Sequence, residues 1–136
     1  MTVRKALVFI LRGPDILVFR HPLAGVQLPK GTVEAHETTL AAARREVFEE
    51  VGLVLTGPLI PLGAWVCPSL PATWHVFVAD APSDAPDEWR HAPTGGGEED
   101  DLTFDVFWTE AANARTLLHP LFLPVLDMLE QYARSR

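Results

Sequence analysis

The chain has 136 residues, 48% of them hydrophobic, with 18 Asp+Glu against 11 Lys+Arg and a formal net charge of −7. That length and composition suit one globular domain with a real core and exclude a disordered chain. The acidic balance argues against a non-specific binder of duplex nucleic acid, which needs a basic face. If the substrate carries phosphate, its charge must be neutralised by something else, and a divalent metal is the natural choice.

Arg4 and Lys5 precede the apolar run Ala6 to Leu11, a faint echo of a signal peptide. Arg12 closes that run after six residues and no small-residue cleavage site follows, so Val3 to Leu11 reads as a buried strand. No stretch approaches the roughly 20 apolar residues of a membrane span, and a cytoplasmic location is expected. Gly13-Pro14-Asp15 marks a turn into a second strand, Ile16 to Arg20. Residues 21–37, with Pro22, Gly25, Pro29 and Gly31, read as loop. Thr38 or Thr39 caps a helix running to about Val51, and Gly52 supplies its stop.

Leu62 to Val66 and Trp74 to Ala79 read as strands, with Trp65 and Trp74 as packing groups. The single cysteine, Cys67, rules out an intrachain disulfide, fits a reducing compartment and reads as a core thiol. Residues 81–101 are polar, rich in Pro and Gly and acidic at their end, as in a long functional or mobile loop. Leu102 to Trp108 forms a last strand. Pro120 to Ala133 has helical spacing, with Leu121, Val125, Met128, Leu129 and Tyr132 on one face. Strands mixed with two helices, and no linker between two cores, predict one α/β domain over residues 1–136.

On a helix over residues 38–51, Leu40, Val47 and Val51 share a narrow arc, and Glu46, Glu49 and Glu50 fall on the opposite side. At about 6 Å and an effective dielectric of about 20, each like-charged pair costs roughly 3 kcal/mol. If that face lines a cleft, it asks for cations, and hard oxygen donors suit Mg²⁺ or Mn²⁺. Histidine and cysteine at zinc spacing are absent. Taken alone, such a face is more often solvated surface.

The wider pattern decides between these readings. From Gly31 the chain reads five residues, Glu37, seven residues, Arg45-Glu46, Val47, Phe48, Glu49-Glu50, Val51, Gly52, Leu53. This resembles the signature box of the Nudix (MutT-like) hydrolases with every defining position filled. Seven positions each demand one residue type, so a chance match at a given start is on the order of 10⁻⁸.

The resemblance implies an αβα sandwich with a mixed sheet between helices. It implies hydrolysis of a pyrophosphate linkage in a nucleotide-type small molecule, with Mg²⁺ (or Mn²⁺) as cofactor. It places Glu49 and Glu50 on the cation, Glu46 on metal and on the attacking water, and Arg45 as the group that orients a glutamate. Glu37 supports that network, Gly31 permits a tight loop over the helix start, and Gly52 ends the helix. His36 and Ala35 depart from the residues frequent there, which touches loop shape and not metal chemistry. Glu98, Glu99 and Asp100 in the late loop are further candidates for a base or metal ligand.

Substrate choice is less determined. Leu28-Pro29-Lys30-Gly31 resembles family members that cut diadenosine polyphosphates, although the tyrosine common to those is missing after the box, the only one being Tyr132. Pro68 lies near a proline found in ADP-ribose hydrolases. Lys30 and Arg20 are candidate phosphate contacts. Trp89 is either a base-stacking ring or a lid over the core. A homodimer remains open. The alternative function is a Nudix-fold module that binds a nucleotide without cutting it, but such modules tend to lose box carboxylates, and all three are present here.

Overall fold

The computed structural model describes residues 2–95 and 101–136. Strand β1 (Val3–Arg12) turns through Gly13, whose φ of 58° is left-handed, into β2 (Asp15–His21). Two three-residue strands follow, β3 (Gly25–Gln27) on β2 and β4 (Lys30–Thr32) on β1. After helix α1 (Thr39–Val51) come β5 (Ile60–Val66), β6 (Ala72–Asp80), β7 (Glu88–His91) and β8 (Phe104–Glu110). Helix α2 (Ala111–Leu117), a 3-10 turn at Pro120–Phe122 and α3 (Leu123–Arg134) complete the chain. The sheet has the order β5-β6-β1-β2-β8-β7 and is mixed: β1 and β6 run parallel, and the other pairs are antiparallel.

The sheet's centre follows from β1. Ala6 to Ile10 are all buried, as a strand covered on both faces requires. Alternation then sends Leu7 and Phe9 into one apolar layer with Ala114 of α2 and Val125, Leu126 and Leu129 of α3. Ala6, Val8 and Ile10 join the other with Ala42, Ala43, Val47 and Val51 of α1. This is the expected αβα sandwich. Trp74 is fully enclosed, with its ring 4.8 Å from Trp65 and 5.4 Å from Phe122, and Cys67 is buried beside it in the same layer. Among the described residues no helix is long and apolar enough to cross a membrane.

Three expectations need correction. Residues 21–37 are not wholly loop, because β3 and β4 pair there, and residues 81–101 contain β7. Both segments gain their strands from neighbours in the sheet rather than from apolar alternation of their own. A third helix, α2, forms from AANARTL, whose buried face is essentially Ala114. Leu40, on the same arc as Val47 and Val51, is 41% exposed, because the first turn of α1 overhangs an open groove lined by Leu59, Pro61, Ala64 and Phe77.

The ends of α1 are as the sequence indicated. Thr38 Oγ1 accepts the Ala41 N–H at 3.0 Å, and Gly52, at φ 80°, donates its N–H to Phe48 O at 3.0 Å. A Cβ at Gly52 would be strained by that φ and would lie 2.8 Å from His91 Nδ1. Gly52→Ala should therefore cost about 1–2 kcal/mol, a Tm drop of roughly 3–8 °C by thermal melting. An unchanged Tm would show that this cap is not constrained.

Candidate active site

Glu46, Glu49 and Glu50 stand on the side of α1 away from its buried residues, and Arg45 ties the first two to Glu37 in the preceding loop. Its planar guanidinium donates in a fork to several acceptors at once. Nε reaches Glu37 Oε2 at 3.1 Å, and Nη1 reaches Glu46 Oε1 at 2.8 Å and Glu49 Oε1 at 3.0 Å. Nη2 reaches the Thr32 carbonyl at 2.9 Å and Glu37 Oε1. One cation thus bridges three carboxylates and pins β4 to α1.

This network perturbs its members in opposite senses. The hydrogen bonds from Arg45, with a further one from the Glu34 N–H, hold Glu37 down at about 2. Burial pushes Glu46 up and outweighs the pull of Arg45. Glu37 in return raises Arg45 above its already high ordinary value. A carboxylate lowered in the folded state contributes stability at pH above its unfolded value of about 4.5, and loses it as pH falls toward 2. In acid unfolding, Glu37→Gln should therefore be less stable than the parent at pH 7 and close to it at pH 2. A constant difference between the two proteins across that range would contradict the ion pair's role.

Glu50 turns the other way, its Oε1 accepting the Lys30 backbone N–H at 2.8 Å. The Lys30 ammonium rests on aromatic rings, 4.8 Å from the Trp74 centroid and 5.9 Å from Phe122, and burial lowers its pKa. Gly31 lies in β4 with an ordinary backbone, so a tight loop is not what needs glycine there. A Cβ at that position would fall 1.9 Å from Cδ of Glu46: the carboxylate fills the space a side chain would take.

The structure separates the remaining candidates. Lys30 and Glu50 share a cavity of about 200 Å³ with Phe19, His21, Gln27 and Leu28. Arg20 and Trp89 line a different cavity of about 480 Å³, with Arg90, Asp105 and Phe107, that contains none of the box carboxylates. Trp89 is half-buried against the α1-side core, donates its indole N–H to Val51 O at 2.9 Å, and lines that cavity as well. Glu98, Glu99 and Asp100 lie outside the described residues. Residues the sequence reading missed are Thr32, whose carbonyl anchors Arg45, and the stretch His91 to Gly95, which folds over the end of α1. Only the glycine run beginning at Gly95 hinted at the second, as a place where backbone comes close to something.

The donor set suits a hard divalent cation: oxygen only, from three side chains of one helix face, with Glu46 seated in a cradle that Gly31 leaves open. Among the described residues no three His, Cys, Asp or Glu side chains converge as a ready metal cage. Arg45 balances two of the carboxylates, and the Lys30 N–H holds the third aside.

The NUDIX domain profile matches residues 1–120, and the chain belongs to the Nudix family. Similar solved structures include a MutT from work on Aliivibrio salmonicida and Vibrio cholerae, at 18% identity over 96% of this chain and 99% of that one, with a TM-score of 0.70. A NUDIX hydrolase from Nitrosomonas europaea has 21% identity over 99% and 90%, with a TM-score of 0.71. A mutT/nudix family protein from Listeria innocua has 18% identity over 98% and 94%, with a TM-score of 0.68. These likenesses establish the fold. No curated protein matches the chain.

Proposed function

We propose that the chain hydrolyses a P–O–P linkage in a nucleoside-diphosphate-linked small molecule, with Mg²⁺ (or Mn²⁺) held by Glu46, Glu49 and Glu50. The observation that carries this reading is the clustering of Glu46 and Glu49 around Arg45 on one face of α1, with Glu50 on the next position lining an open cavity. A bound divalent ion supplies neutralisation of phosphate oxygens and acidification of the attacking water. Glu49 and Glu50 provide charge and oxygen donors; Arg45 orients Glu49 and Glu46, Glu37 fixes Arg45, and the Lys30 N–H orients Glu50. Glu46 is the candidate base. Its Oε1 is engaged by Arg45, and burial pushes its pKa up, the direction that strengthens a base. Glu98, Glu99 and Asp100 are the second candidates for that step. The cavity lined by Phe19, His21 and Leu28 is where the non-reacting part of the substrate is placed.

The substrate class spans diadenosine polyphosphates, ADP-ribose-like compounds and nucleoside triphosphates. The test is a panel of these, extended to NADH and coenzyme A, incubated with Mg²⁺ and resolved by chromatography. Release of a nucleoside monophosphate or phosphate from at least one is expected. Binding without cleavage across the whole panel would overturn the enzyme reading in favour of a nucleotide-binding module.

A further inference from the structure

A helix leaves its last carbonyls without intrahelical partners, and those of α1 are taken up by the segment around β7. Glu49 O accepts two hydrogen bonds, from the His91 ring at Nε2 and from the Thr94 backbone N–H, both at 3.0 Å. The first requires the Nε2-protonated ring, since a carbonyl only accepts. Val51 O accepts the Trp89 indole N–H at 2.9 Å. The His91 ring also lies against Gly52, where a Cβ would come within 2.8 Å of Nδ1. Beyond Thr94 the chain reaches Gly95, at φ +102°, and closes on the other end of the same glutamate. A Cβ on Gly95 would sit 2.6 Å from Glu49 Oε1 and 2.7 Å from its Cδ. Glu49 is therefore held at its carbonyl by His91 and Thr94, and its carboxylate lies between Gly95 and the Arg45 Nη1 that it accepts from at 3.0 Å, both nearest to Oε1.

We propose that Trp89, His91 and Gly95 form a positioning clasp that sets the depth and orientation of the Glu49 carboxylate for the divalent ion. This rests on the reading of Glu49 as a metal carboxylate given above. The clasp contains no group that reacts. It acts through the backbone of the last turn of α1 and through the space that Gly95 leaves for the carboxylate. Supporting groups of this kind, when removed, weaken a metal by about 10–100-fold.

The test compares the parent with His91→Ala, His91→Gln and Gly95→Ala in three measurements: Mn²⁺ affinity by electron paramagnetic resonance, kcat and KM on the best substrate of the panel, and Tm. A glutamine amide places a donor near the position of the histidine Nε2. His91→Ala should weaken Mn²⁺ and lower kcat by about 10-fold with KM nearly unchanged. His91→Gln should recover most of both, and Gly95→Ala, which displaces the carboxylate itself, should lose the most. Mn²⁺ affinity and kcat within about twofold of the parent for both alanine variants, with only Tm lowered, would overturn the clasp and leave a purely structural role. If the parent binds Mn²⁺ but cleaves nothing, the hydrolase reading fails while the affinities still judge the clasp. If the parent binds no Mn²⁺, both readings fall.

Discussion

Glu49→Gln or Glu50→Gln should lower kcat by roughly 10³-fold, about 4 kcal/mol of transition-state stabilisation, while the protein remains folded. The amide is nearly isosteric and keeps an oxygen acceptor. Glu49 can still take a hydrogen bond from Arg45 Nη1, and Glu50 can still accept the Lys30 N–H. What is lost is the negative charge, and with it the proposed hold on a divalent cation against substrate phosphates. Because neither residue is part of the apolar layers, Tm should move by only a few degrees. The check is kcat and Tm measured on the same preparations. Near-parental turnover in either variant would remove that residue from the metal site.

Gly31→Ala should produce the same dissociation of activity from folding by a different route. The new methyl group would coincide with the Glu46 carboxylate, 1.9 Å from its Cδ. That carboxylate is the far end of a flexible side chain, and the backbone at Gly31 is ordinary extended strand, so the fold can yield by turning Glu46 away. If Glu46 has the proposed role, its displaced carboxylate no longer meets the water or the metal, and a misplacement of about 1 Å is enough for roughly a 10²-fold loss. We expect a drop in kcat of at least that size with β4 still paired to β1, seen as an unchanged circular dichroism spectrum and a modest Tm shift. A stable Gly31→Ala protein of normal activity would show that Glu46 works in some other position than the one observed.

How much of this was legible in the sequence depends on whether the signal is local. The span of α1 was, because Thr38 and Gly52 mark its ends chemically and the box residues have fixed spacing along it. So were β1, β2, β6 and β8, whose apolar content is high enough to identify a strand without knowing its neighbours. β3, β4 and β7 were not, since three or four residues such as Glu88-Trp89-Arg90-His91 become a strand only by pairing. The exposure of Leu40 depends on how far α1 overhangs the sheet, which no helical wheel contains.

The candidate site divides in the same way. Its acidic residues were named from the pattern, but the way Arg45 joins Glu37, Glu46, Glu49 and Thr32 depends on distances between segments. The family was thus readable from residues 31–53. The role of residues 89–95 at the end of that same helix was not.

The measurement that bears most directly on the central claim is phosphorus NMR of the cleavage reaction in water enriched in oxygen-18, with and without Mg²⁺. The account predicts Mg²⁺-dependent cleavage of a P–O–P substrate and an isotope shift on one phosphate of the products. It also predicts that both disappear when the metal is chelated. Cleavage that persists undiminished after chelation, or products carrying no label from water, would contradict it.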